Sequence, residues 1–329
     1  GLGLAIWRIR RPAFSIPIIG LISMLLPGVF SEYAPHFHRV LGASAPVAVL
    51  GGFGLDAVWS WNRLRRWHLQ WIAMILLVVG GLTSAQNYFT RWSSLPDLHY
   101  AFDAGFWEMS QWIAQQPDDA VIYMTPRGGE HPTFAFAWRQ PGDVPPHRFD
   151  GRHIFPLAAE TNQEDEPYLV VEHEDFRTRL LLPEVFPDAI VTHEFTDREG
   201  NVYARVYTRP ANSLPQRPPR VSLDQLVGDC IGLAGYDLLP EVANPGETIY
   251  LQLHWTTDAQ PSGDWTVYTH VIDTEDGSVL AGRDSRPGNG SLITADWAAG
   301  WRVLDEYQIQ WPPDLPTGDY GLRIGLYQD

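Results

Sequence analysis

Charged and apolar positions divide the chain into unlike regimes. Pro12 to Ser31 carries no charged residue. Val40 to Leu55 is again uncharged, and the run continues past Asp56 to Trp61. Leu69 to Thr90 is a third uncharged run, densest over Ile72–Val79. Each approaches the roughly 20 apolar residues that cross about 30 Å of hydrocarbon. One such run can be a buried helix of a soluble protein. Three in succession, separated by charged turns, predict a transmembrane region over 1–91 with spans at 12–31, 40–61 and 69–90. The second span is rich in small residues, and Ala48 and Gly52 have the small-xxx-small spacing that lets helices approach closely. That predicts packing inside a bundle larger than three helices.

The period changes after residue 92. Residues 99–115 have a helical period, with Phe102, Phe106, Met109, Trp112 and Ile113 on one side. Ala120–Met124 reads as a buried strand, His131–Arg139 as a helix with Pro132 at its first turn, and Tyr168–Glu172 as a strand. A helix over 174–182 and strands at Ala189–Glu194 and Val202–Thr208 complete a small α/β domain, 92–210. Residues 211–220, with Pro215, Pro218 and Pro219, read as a semi-rigid linker. Beyond it, 221–329 shows short apolar runs between turn signals at Asn244-Pro245-Gly246, Asp276-Gly277 and Pro316-Thr317-Gly318. Ile249, Leu251, Leu253 and Trp255 face one way; Tyr250, Gln252 and His254 face the other. About seven short strands at this spacing read as an immunoglobulin-like β-sandwich. The expected fold is therefore multi-domain: transmembrane helices, a small α/β domain, then a sandwich.

Charge supplies direction. Residues 1–91 hold eight Arg against two acids, a net +6, and 92–329 hold fifteen Arg against thirty-seven acids, a net −22. The acidic part argues against nucleic acid as a partner. Arg8, Arg10 and Arg11 precede the first span, and Arg63, Arg65 and Arg66 lie between the second and third. Positive loops stay in the cytoplasm. The loop 31–39 and everything after the third span are then expected outside it, making an integral, multi-pass protein of the cell membrane with extracytoplasmic soluble domains. A single Cys230 excludes an intrachain disulfide. The chain opens at Gly1 inside an apolar stretch and ends directly after a strand, which reads as a piece of a longer protein.

Candidate chemistry is sparse. Arg127-Gly128-Gly129 lacks the residues of a phosphate-binding loop. Glu172-His173-Glu174-Asp175 invites a metal reading, but neighbours on a strand point opposite ways, and a solvated strand end is the plainer one. Asp273, Asp276 and Asp284 match no calcium-loop spacing. No cofactor or metal is expected. Asp56 reads as an interface residue near the cytoplasmic end of its span. Trp297, Trp301 and Trp311 can stack on sugar rings or can close the sandwich core, and the core reading is the plainer.

The order of segments resembles the C-terminal half of bacterial membrane glycosyltransferases of the family that includes dolichyl-phosphate-mannose protein mannosyltransferases and lipid A aminoarabinose transferases. Glu32 to Pro46 looks like the external loop and following span near the end of that membrane bundle. Phe149-Asp150-Gly151-Arg152 with Phe155-Pro156 is similar to the appended α/β domain. Gly235-Tyr236, Leu253-His254-Trp255, Asp296-Trp297 and Gly318-Asp319-Tyr320 look like the terminal sandwich. The resemblance implies transfer of a sugar from a polyprenyl-phosphate donor to a glycan or protein acceptor outside the cytoplasm. It also implies a catalytic carboxylate in a segment upstream, so no catalytic residue is expected here and this piece alone should be inactive. Donor contacts are expected from the external loop: Arg39 on the phosphate, His36 or His38 in hydrogen bonding or proton transfer, and Glu32 beside them. A short polar loop whose Arg anchors the helix at the interface explains the same residues, and His36 and His38 can also be read as a metal pair. Two other functions stay open: a membrane-anchored surface protein whose sandwich binds carbohydrate, and a non-catalytic assembly subunit.

Overall fold

The computed structural model describes residues 1–30, 40–61, 70–138, 145–159 and 162–328. They form two compact units, Gly1–Leu95 and Pro96–Asp329.

The first unit is helical: α1 (Leu2–Trp7), α2 (Pro12–Val29), α3 (Ser44–Ser60) and α4 (Gln70–Gln86), the last continued by a π-helical stretch, Asn87–Trp92. Three helices are long and apolar enough to span a membrane: Pro12–Val29, Leu41–Ser60 and Trp71–Trp92. Pro12 sits in the first turn of α2, where its missing N–H costs nothing. Ile18 and Leu50 are buried with Ala5, and the rings of Phe14 and Phe53 meet at 4.7 Å. Most other apolar side chains of these helices are exposed, such as Ile19, Ile22, Ile75 and Leu76. So much exposed hydrocarbon is costly in water and natural in lipid, which marks this unit as membrane-associated.

The second unit opens with α5 (Leu98–Ala101) and α6 (Ala104–Ile113). The single helix expected over 99–115 is broken at Asp103, whose φ is +50°. Aspartate tolerates this left-handed geometry better than most residues, and its carbonyl accepts the N–H groups of Phe106 and Trp107. The break removes Phe102 from the apolar stripe: it is 64% exposed, while Phe106, Met109 and Ile113 are buried.

A mixed five-stranded sheet follows. It comprises β1 (Tyr123–Thr125), β2 (His147–Arg148), β4 (Glu166–Val170), β5 (Ile190–Thr196) and β6 (Val202–Arg209), in the order β2-β1-β4-β6-β5. β1 runs parallel to β2 and β4, and β6 antiparallel to β4 and β5. Both faces are covered, which explains the near-continuous apolar runs of β1 and β4. Met124, Leu169 and Val206 pack against α6 and against Phe134 of α7 (Pro132–Ala137). Tyr123, Tyr168 and Val170 face α8 (Phe176–Val185) and the second part of the core.

That second part is built from two antiparallel sheets. The larger has the order β3-β12-β9-β8-β7, and the smaller β11-β10-β13. Here β3 is Ile154–Ala159, β7 Val221–Gly228, β8 Ile231–Leu239, β9 Thr248–Thr257, β10 Thr266–Ile272, β11 Val279–Ser285, β12 Trp301–Gln310 and β13 Gly321–Tyr327. Ile249, Leu251, Leu253 and Trp255 point into the shared core, as their alternation predicts.

One expectation needs correction. The boundary read at 210–220 is crossed, because β3 leaves the α/β part and pairs with β12 from Asp305↔Ile154 to Trp301↔Ala159. Without it, the outer edge of β12 would present unpaired N–H and C=O groups. The proline-rich segment, expected as a semi-rigid linker, is tied to the unit by hydrogen bonds. Gln216 N–H bonds the Val185 carbonyl, and the Ser213 carbonyl accepts from Arg209. On the opposite face of β9, Gln252 and His254 are buried. Residues of α8 and Arg217 line a cavity with Gln252. A polar seam fills this boundary: Arg177–Glu306 at 3.1 Å, Arg217–Glu184 at 2.8 Å and His254–Asp237 at 3.3 Å. Burial pulls the His254 pKa down against the opposing pull of Asp237.

Candidate functional site

The carboxyl ends of parallel strands are where open α/β sheets bind ligands, above all where connections leave a strand in opposite directions. The chain runs from β1 to β2 on one side, passes through β3, and returns as β4 on the other side of β1. The segments leaving β1 and β4 carry Arg127 and His173-Glu174. They meet the α5–α6 break and the start of α7 around a cleft of about 220 Å³.

Each wall has a local cause. Arg127 Nε donates to Glu174 Oε2 at 2.6 Å, tying the two strand ends together. His173 Nδ1 lies 3.5 Å from the Tyr203 carbonyl. Its Nε2 lies 3.8 Å from Glu174 Oε1. His131 is the N-cap of α7 and accepts the Thr133 N–H at Nδ1. Its Nε2 faces Asp103 Oδ2 at 3.8 Å, the carboxylate that the left-handed backbone turns toward α7. His99 is 4% exposed, stacks edge-on with Tyr203 at 5.2 Å, and its Nε2 has no partner among the described residues.

Two phenols complete the lining. Tyr100 donates to Asp197 Oδ2 at 3.0 Å, and Tyr203 to Glu108 Oε2 at 3.4 Å. Burial first, and these carboxylates second, raise both phenol pKa values, so both stay protonated donors. Asp197 is held down to about 2 by the Asn201 amide, backbone N–H groups and Tyr100. Gly105 lies flat against the Tyr203 ring; a Cβ there would collide with it. The glycine thus sets the depth of that wall.

The residues expected to touch the donor, Glu32, His36, His38 and Arg39, lie outside the described residues. The sugar-stacking reading of Trp297 and Trp301 is corrected: both are core residues, 1% and 5% exposed, and offer no ring face to a ligand. Trp311 is half-buried, edge-on to Tyr320 at 5.2 Å. Residues 172–175 form a turn after β4, and their side chains diverge. Glu172 pairs with Arg205 at 2.6 Å and accepts from Tyr207, while Asp175 caps α8 and accepts the Thr125 hydroxyl. Asp273 and Asp276 accept N–H groups in their own turn, whereas Asp284 pairs with His270 at 2.8 Å. Among the described residues no three His, Cys, Asp or Glu side chains converge as a metal site.

His99, Asp103 and His131 were not singled out in the sequence. A signal for part of the cleft was present: Arg127 and His173-Glu174 each follow an apolar strand directly. Comparison with protein-family models, with curated proteins and with solved structures finds no match to the chain.

Proposed function

We propose that the chain is part of an integral membrane glycosyltransferase that moves a sugar from a polyprenyl-phosphate donor to an extracytoplasmic acceptor. The supporting observation is the arrangement: three helices fit to span a membrane, followed by one compact, acidic unit with a polar cleft at its strand ends. The catalytic carboxylate belongs, on this reading, to a segment N-terminal to these residues. Arg8, Arg10 and Arg11 then lie in the cytoplasm with Arg63, Arg65 and Arg66, and the unit from Pro96 lies outside. Its two antiparallel sheets are read as an immunoglobulin-like sandwich with β3 added to one edge. A membrane-anchored surface protein that binds carbohydrate is the second reading, favoured by the cleft lying in the unit outside the membrane helices.

The test is transfer of labelled sugar from polyprenyl-phosphate donors by membranes carrying the full-length protein. Transfer is expected, with Arg39→Ala weakening it roughly tenfold or more, the loss of a charge-assisted phosphate contact. No transfer from a broad donor panel, with glycan binding by the soluble unit, would replace the enzyme with the anchored binding protein.

A further inference from the structure

We infer that the exposed aromatic side chains carried by the α6–α7 pair, Phe102, Trp107 and Phe136, dock the unit from Pro96 onto the lipid headgroup layer. The inference needs only that the helix Trp71–Trp92 lies in lipid. It is independent of the sugar-transfer reading and of which side of the membrane the unit occupies.

The patch follows from helix periodicity. α6 buries Phe106, Met109 and Ile113 against the sheet. Ala104, Trp107, Gln111 and Ala114 recur at helical spacing on another stripe, and none of them is charged. Trp107 is 43% exposed and Phe136 59%, and their rings meet across the two helices at 6.3 Å. Phe102 stands exposed where the left-handed Asp103 opens α6. On α7, Pro132 and Ala135 are exposed and uncharged as well. The acids that adjoin the aromatics in sequence are directed elsewhere. Asp103 accepts the Thr133 hydroxyl at 3.5 Å and faces His131, and Glu108 accepts from Tyr203 at 3.4 Å.

Charge and side-chain chemistry point to lipid. Residues 92–329 carry a net −22, so most of this surface is repelled by anionic headgroups. An uncharged aromatic patch is where that repulsion is least. Large aromatic rings also favour the bilayer interface, where an apolar body meets hydrocarbon and its edge stays near water.

The connection decides between lipid and a soluble partner. Residues 93–97 alone join Trp92, the end of the third span, to α5. A stretch of that length reaches at most about 20 Å. The last turns before it expose Tyr88 and Phe89, as an interfacial belt does. Phe102, Trp107 and Phe136 are therefore tethered within reach of the headgroups. Lipid is the partner always present there, and it needs no diffusional encounter.

The test uses the whole chain in liposomes, with Cys230→Ala and one fluorescent maleimide at Ala135→Cys. A second preparation carries the label at Val242→Cys, an exposed position between β8 and β9, as the reference. Quenching is read with a nitroxide on the lipid headgroup and with aqueous iodide. The label at 135 should be quenched by the nitroxide lipid more strongly than the label at 242, and shielded from iodide. Trp107→Glu with Phe136→Glu should move the ratio of docked to undocked unit toward water by about tenfold or more. Both positions are exposed, and unchanged far-UV circular dichroism checks that the fold is kept. Lipid quenching at 135 no stronger than at 242 would overturn the docking, as would lipid quenching that survives both substitutions. Shielding from both quenchers would place protein over the patch, either another part of this chain or a second copy, and would overturn it equally.

Discussion

Replacing Arg209 with alanine is expected to destabilise the unit from Pro96 by about 3–5 kcal/mol, the cost of leaving a buried charge without its partner. The Arg209 side chain is fully buried. Its guanidinium donates to Glu166 at 3.0 Å, to the Leu157 carbonyl at 3.3 Å and to the Ser213 carbonyl, and lies 4.5 Å over the Phe186 ring. One side chain thus joins β4, β3, β6 and the proline-rich segment. Burial already raises the Glu166 pKa, and Arg209 is the group opposing it. Without the guanidinium, Glu166 must take up a proton or draw water into the core, and two carbonyls lose their donor. Arg209→Met combined with Glu166→Gln should recover part of the loss by removing the charge. Urea unfolding of a soluble piece from Pro96, followed by tryptophan fluorescence, measures this directly. A loss below about 1 kcal/mol, typical of exposed ion pairs, would show that the pair is not sealed from water.

Asp305 should make the same unit less stable as pH rises from about 4 to about 7. The carboxyl is fully buried on β12. Burial pushes its pKa up to about 7, although the Tyr307 hydroxyl and the Gly288 N–H both donate to it. The unfolded chain releases its proton near the ordinary aspartate value of about 3.9 while the folded chain still holds it. Below that value both states are protonated and the group costs nothing. Between the two values the folded state falls behind by about 1.4 kcal/mol per pH unit, and above about 7 the penalty levels off. The full span is about 4 kcal/mol. Glu166, also raised by burial, adds in the same direction, whereas His254 and His147, lowered by burial, act oppositely on the acid side. The difference between the parent and Asp305→Asn therefore isolates the residue. It should be small at pH 4 and should favour the variant by several kcal/mol at pH 8. A pH-independent difference would mean that Asp305 ionises in the fold as it does unfolded.

The membrane helices and most strands were legible because burial imposes a period or an uncharged run that no other environment permits. What was not legible depends on long-range pairing. Nothing in Ile154–Ala159 states that it joins β12 rather than its sequence neighbours, since that choice is made by an edge formed far along the chain. The polar face of β9 reads as solvated until α8 and Arg217 are known to lie beside it. The helix break falls at Asp103, itself neither glycine nor proline, so the apolar period alone puts Phe102 on the stripe with Phe106. The cleft was legible in halves: Arg127 and His173-Glu174 stand at strand ends, but their meeting with His99, Asp103 and His131 is a product of sheet order. The tryptophans show the same limit. Sequence left stacking and core readings open for all three, and packing placed Trp297 and Trp301 inside.

The chain's only cysteine offers the most direct test of whether the unit from Pro96 lies outside the cytoplasm on a membrane anchor. Cys230 is free and half-buried, between β7 and β8, with its thiol donating to the Ala259 carbonyl at 3.1 Å. Spheroplasts carrying the protein are treated with a membrane-impermeant maleimide, with Cys230→Ala as the blank. Labelling of Cys230 in sealed spheroplasts, unchanged by permeabilisation, is the predicted result. Labelling that appears only after the membrane is opened would place the unit in the cytoplasm and contradict the orientation on which the proposed function stands.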